Sequence, residues 1–210
     1  MSRTALSLNE VIDMMKHVAG GMQDSQDILT EADRMGDADH GEGMARGFAE
    51  VANVLEKGPG SSVGEVMTST GRALMMKVGG AAGAVFGTLF RGGGVGLLER
   101  SEFDANALAV FLRDGLEAVK KRGNAKVGQK TMVDALEPAA EAAADASGSD
   151  IIAALEAAAE AAEAGKEKTK EMVATTGKAK TLGERTIGHP DPGAVSVSLI
   201  LGFMRDFVKQ

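Results

Sequence analysis

Asp37 and Asp39 are the residues of this chain best suited to chemistry. They stand two apart in Gly36-Asp37-Ala38-Asp39-His40-Gly41-Glu42-Gly43, and an amphipathic helical pattern follows at once. Two carboxylates so placed offer hard oxygen ligands beside the free N–H groups of a helix start, which suits a Mg²⁺-bound phosphate. A Ca²⁺ loop of the form D-x-[DN]-x-[DN]-G is excluded: counting from Asp37, the fifth position is Gly41 and the twelfth is Phe48. The plain alternative, an Asp-rich turn that only caps the next helix, stays open on these residues alone.

The elements that must hold this loop read as helices. Ser7-Leu8-Asn9-Glu10 spells a capping box, and Val11, Met14, Met15, Val18 and Met22 follow at helical spacing, predicting a first helix that runs towards Leu29. A second, from about Glu42 to Leu55, presents Met44, Phe48, Val51 and Leu55 on one face and stops at Lys57-Gly58-Pro59-Gly60. Ser62-Val63-Gly64-Glu65 opens a third through Met76. Gly79-Gly80 breaks it before Ala84-Val85-Phe86 starts a fourth, which Gly92-Gly93-Gly94 either interrupts or ends. Asp104 caps a fifth ending at Lys121-Arg122-Gly123, and a sixth covers roughly residues 130–146. Asp150 caps a seventh from Ile151 to Gly165 and on towards Thr176. Asp191-Pro192-Gly193 opens the last, with Pro192 at a favourable first position. Eight helices and no alternating strand pattern predict an all-α fold, with residues 1–210 forming one domain.

Composition narrows the partners. A net charge of −7 argues against a nucleic-acid or anionic membrane surface and favours a cation or a metal-neutralised nucleotide. No run of 18 apolar residues and no apolar signal core occur, so the expectation is a soluble, cytoplasmic protein with no membrane contact. The absence of cysteine removes disulfides and thiolate metal sites.

One tempting motif fails. Gly123-Asn124-Ala125-Lys126-Val127-Gly128-Gln129-Lys130-Thr131 is one residue too long for a Walker A loop, and Glu117 to Arg122 before it reads as the end of an amphipathic helix, not as the buried strand a P-loop needs. Gly79 to Gly83 carries no reactive side chain. Close backbone approach to a phosphate and a tight helix crossing are both consistent with it.

Gly36 to Gly41 resembles the signature loop of the nucleotide-binding L subunit of dihydroxyacetone kinases, the DhaL-type family. Three further segments match in the same order: Val78-Gly79-Gly80-Ala81-Ala82-Gly83 with Phe86-Gly87-Thr88, Gly128-Gln129-Lys130-Thr131-Met132-Val133-Asp134, and Leu182 to Ala194. The resemblance implies a closed antiparallel barrel of eight up-and-down helices with nucleotide at one rim. It implies ADP or ATP held with two Mg²⁺ ions, the metals by Asp37, Asp39 and a third carboxylate. Nucleotide contacts carried over are His40, Gly41, Glu42, Gly43, Ala81, Ala82, Gly123, Met132 packed on the base, Lys178, Asp191, Pro192 and Gly193. No residue is assigned covalent chemistry.

The resemblance further implies a short ketose acceptor, dihydroxyacetone or a relative such as erythrulose, presented covalently by a separate K-type subunit. The phosphoryl donor is either exchanging ATP or, as the family's habit favours, a phosphotransferase-system protein that rephosphorylates bound ADP as a coenzyme. A homodimer is left open, and a non-catalytic nucleotide-sensing adaptor is the rival reading. The chain departs from the family in several places. Ala32 stands where the family has its third acidic ligand, so Asp33 is taken as that ligand, which requires a connection to Gly36 one residue shorter, since one residue turns a helical side chain by about 100°. Gly43 replaces a common Asn, Ala82 a frequent Ser and Lys178 an Arg, which keeps charge but loses the bidentate fork. Arg185 is either a surface charge or a phosphate clamp. His17 and His189 read as structural.

Overall fold

The computed structural model describes residues 3–210 and is mostly helical. Ser7 opens α1 (Leu8–Asp24) with the expected capping box, its amide and hydroxyl both donating to the Glu10 carboxylate at 2.8 and 2.7 Å. The chain breaks at Ser25, so the first helix does not run to Leu29. A separate α2 (Gln26–Ala32) carries Leu29. The Ser25 hydroxyl donates back to the Gly21 carbonyl at 2.7 Å, the back-bonding that bends helices.

Next come α3 (His40–Glu56), α4 (Val63–Lys77), α5 (Gly80–Val95), α6 (Ala105–Gly123), α7 (Val133–Asp145), α8 (Ile151–Lys168) and α9 (Pro192–Val208). Nine α-helices thus stand among the described residues where the sequence led to eight. Two other expectations are corrected. Ala5–Ser7 (β1) and Glu102–Asp104 (β2) pair antiparallel, with Leu6 opposite Phe103; strands of three residues are too short to show alternation. The seventh predicted helix ends at Lys168, not near Thr176, and residues 169–191 form a strap of 3-10 turns and extended chain.

Helices α3 to α9 each pack on the next, while α1 packs on both α3 and α9. Their inward faces bury Met14, Met15, Met22, Met44, Phe48, Phe86, Phe90 and Phe111. Each such side chain contributes roughly 1.5–3 kcal/mol relative to exposure. Gly92-Gly93-Gly94 does not end α5. A Cβ at Gly93 would fall 2.4 Å from the Phe111 carbonyl oxygen, and one at Gly94 2.9 Å from that of Gly64, so this helix is squeezed between α4 and α6 where only glycine fits. Close packing overrides poor helix propensity there.

Candidate functional site

The starts of α3, α5, α7 and α9 lie beside one another. His40, Gly80, Val133 and Pro192, the first residues of those four helices, line a single cavity of about 600 Å³. Four helix starts bring partial positive charge to one place, a setting for an anion; at α7 and α9 the first amides are taken by Thr131, Asp134 and Asp191, and at α3 the His40 amide by Asp33. The deeper wall is apolar, built from Val78, Val85, Phe86, Val119, Met132 and Val133, and suits a flat aromatic base.

At the mouth stands the acidic loop. Asp33, Asp37 and Asp39 each place a carboxylate oxygen within 4.8 Å of those of the other two. Asp33 reaches the cluster because α2 has already ended: it is the C-cap, Gly36 N donates to its carbonyl at 2.7 Å, and its Oδ2 accepts the His40 amide at 3.3 Å. Ala32 is buried in the floor beside it. Burial raises the Asp33 pKa, helped by repulsion from Asp37 and Asp39. Lys178 donates to Asp37 Oδ2 and lies 3.5 Å from Asp39 Oδ2. This contact lowers the pKa of Asp37 and raises that of Lys178. Three oxygen donors around one cation are the hard-ligand set that Mg²⁺ takes.

His40 is buried on the cavity wall, its Nε2 2.8 Å from Ser196 Oγ, whose own proton points at the Pro192 carbonyl 3.1 Å away. Desolvation pulls the imidazole pKa down to about 4, so it is neutral at physiological pH. Asp191 caps α9, accepting the Ala194 amide at 2.8 Å. Its enclosed carboxyl is pushed up to about 7 by burial even though the residue borders the cavity.

Of the residues singled out from sequence, Glu42, Gly43, Ala81, Ala82, Gly123, Met132, Pro192 and Gly193 join Asp33, Asp37, Asp39, His40, Lys178 and Asp191 in the lining. Gly41 does not. It faces α2, where a Cβ would fall 2.2 Å from the Gln26 carbonyl oxygen, so its service is to let α3 touch α2. A Cβ on Gly43 would fall 2.9 Å from the Val78 carbonyl oxygen. Arg185 is exposed and outside the lining, and His17 packs against Phe203 and Phe207.

Sequence reasoning missed Arg46, which lines the cavity and ties the end of α4 to α3 by donating to the Lys77 and Val78 carbonyls at 2.8 and 3.0 Å. Its place one turn after Glu42 was the only signal. The string from Gly123 to Thr131 follows a helix, α6, where a P-loop needs a strand.

The DAK2 domain family matches residues 34–206. The chain belongs to the DAK2 domain family. It is 36% identical to the PEP-dependent dihydroxyacetone kinase, ADP-binding subunit DhaL, of Escherichia coli K12, over 94% of this chain and 95% of that protein. It is 35% identical to the ADP-binding subunit DhaL of PEP-dependent dihydroxyacetone kinase 1 of Listeria innocua, over 87% and 88%. The crystal structure of the C. freundii dihydroxyacetone kinase with AMP-PNP and Mg²⁺ superposes with a TM-score of 0.72 at 25% identity, covering 97% of this chain and 35% of that one. The chain thus spans about a third of that longer kinase.

Proposed function

We propose that this DAK2-domain chain is the ADP-binding subunit of a dihydroxyacetone kinase, driven by a phosphotransferase-system protein with bound ADP as its coenzyme. The observation that carries this reading is the convergence of Asp33, Asp37 and Asp39 at the mouth of a cavity onto which four helix starts open. Relatives of matching length named as ADP-binding subunits, and a structural neighbour solved with AMP-PNP and Mg²⁺, support it. The order of helix neighbours supports a closed barrel, and one continuous hydrophobic core supports a single domain.

In this reading Asp33, Asp37 and Asp39 hold two Mg²⁺ ions, which supply charge neutralisation for the phosphates. The base lies against Met132 and Phe86. The first-turn amides of α3 after His40 and those of α5 from Gly80 point at the phosphates; at Gly79 (φ 85°) and Gly80 (φ 55°) glycine allows the turn that aims the second set. Lys178 leaves the carboxylates for the phosphates, a cheap exchange because its ion pairs are exposed and screened. Phosphoryl transfer asks mainly for such positioning and charge. The ketose is presented at this rim by a separate K-type subunit.

The test mixes this chain with a K-type subunit and dihydroxyacetone or erythrulose, supplied with either ATP or a phosphoenolpyruvate-driven phosphotransferase system. Phosphorylated ketose is expected with the phosphotransferase donor and is lost in an Asp37→Ala, Asp39→Ala double variant. No product from any short ketose with either donor, using folded protein, would leave only a nucleotide-binding adaptor.

A further inference from the structure

Lys130 is the one lysine among the described residues with almost no exposure, 6%, and it stands in the cavity wall where a phosphate-binding lysine would be sought. Its Nζ is committed elsewhere. It donates to the carbonyls of Thr169 (2.5 Å), Met172 (3.2 Å) and His189 (2.6 Å). An ammonium has three protons, and these three acceptors use them all. The acceptors mark both roots of the strap: Thr169 and Met172 where α8 ends, His189 just before the Asp191 cap of α9.

Two further observations fix the lysine itself. Its backbone sits at φ 59°, a conformation a lysine adopts only where its surroundings hold it. Asp134 supplies that hold, accepting the Gly128 amide at 2.5 Å and the Thr131 amide at 2.7 Å and so closing the turn around Lys130. Thr169 joins the roots directly, its hydroxyl accepting the Asp191 amide at 2.9 Å. Between the roots the strap crosses the cavity with Ala174, Thr176, Gly177 and Lys178.

We infer that Lys130 is a positioning residue: it staples the two roots of the strap so that Lys178 meets the acidic loop and the nucleotide phosphates, and it contacts no phosphate itself. This rests on the nucleotide-binding reading above for its functional half. Its structural half stands without ligand.

The measurements use the full chain. In ¹⁵N-labelled wild type, the Lys130 ammonium signal should be protected from exchange and keep its position when Mg·ADP is added; a shift showing transfer to a phosphate overturns the inference whether or not any variant folds. Lys130→Met should keep helical circular dichroism, while tryptic cleavage within the ligand-free strap, at Lys178, Lys180 or Arg185, quickens by about tenfold or more as local opening becomes cheaper. Its Mg·ADP affinity should fall about 10–100-fold, the scale of a misplaced site. Lys178→Ala should weaken Mg·ADP binding in wild type and add nothing in the Lys130→Met background. Additive effects would make Lys130 an ordinary stabilising residue. Unchanged strap protection or unchanged Mg·ADP affinity in Lys130→Met, with wild type binding, also overturns the inference. If wild type itself binds no Mg·ADP while the variant's strap still opens, the staple stands and the nucleotide reading falls.

Discussion

Three carboxylates with oxygens within 4.8 Å repel one another, and the Lys178 ammonium is the group that relieves them. Removing one ligand should weaken a bound divalent ion, so Asp33→Asn is expected to lower Mg²⁺ affinity, read by calorimetry, by about tenfold or more, since affinity follows ligand charge. Removing the competing cation should do the reverse. Lys178→Met is expected to bind free Mg²⁺ more tightly and Mg·ADP less tightly. A third expectation concerns His40, whose pKa falls from 6.5 to about 4 on burial. Between those values the native state binds fewer protons than the unfolded chain, so its stabilising contribution is full above pH 6.5 and lost as the pH falls towards 4. Asp191, pushed up to about 7, contributes in the opposite sense over an overlapping range, which masks the effect in the whole protein. The stability margin of wild type over His40→Gln isolates it, and should shrink by roughly 3 kcal/mol across that interval in denaturant titrations. Asp37, Asp39 and His40 were legible because their spacing is local. Asp33 was named only on the condition of a shorter connection, because its direction depends on where α2 stops, and Arg46 and Lys130 were not legible, because their partners are carbonyls distant in sequence.

Helix starts were the legible part of the elements. Ser7, Ser62, Asp104, Asp150 and Asp191 all cap helices as their spelling implied, because a cap is decided within four residues. Helix ends and glycines were harder to read, since tertiary contacts decide them. The Gly92-Gly93-Gly94 run is helical because α4 and α6 press on it, and residues 169–176 leave the helix where Lys130 takes up the carbonyls at the end of α8. Gly41 gives the sharpest test at this scale. A methyl there drives α3 off α2, so Gly41→Ala should cost about 1–3 kcal/mol, as overpacking does, and should weaken Mg²⁺ binding by shifting Asp33 away from Asp39. Gly148→Ala, with nothing within 4 Å of the added Cβ, is the matched control and should change neither.

For the whole molecule, ligand binding and stability are linked. A ligand at a hundred times its dissociation constant adds about 2.7 kcal/mol to the native state, which in a chain of this size raises the melting temperature by roughly 5–10 °C. Mg·ADP should produce that rise and EDTA should abolish it, as followed by differential scanning calorimetry. The same architecture governs when the site can exist. Asp37 meets a partner 141 residues further on and His40 one 156 residues further on. Helices form quickly from their own neighbours, whereas closing spans of that length carries an entropic cost. The acidic loop is therefore made early in translation and completed last. Until the strap emerges from the ribosome the nascent chain holds its carboxylates without the lysine that quiets them, and until α9 follows it lacks the serine that anchors His40, so a chain stalled before that point should capture no ADP.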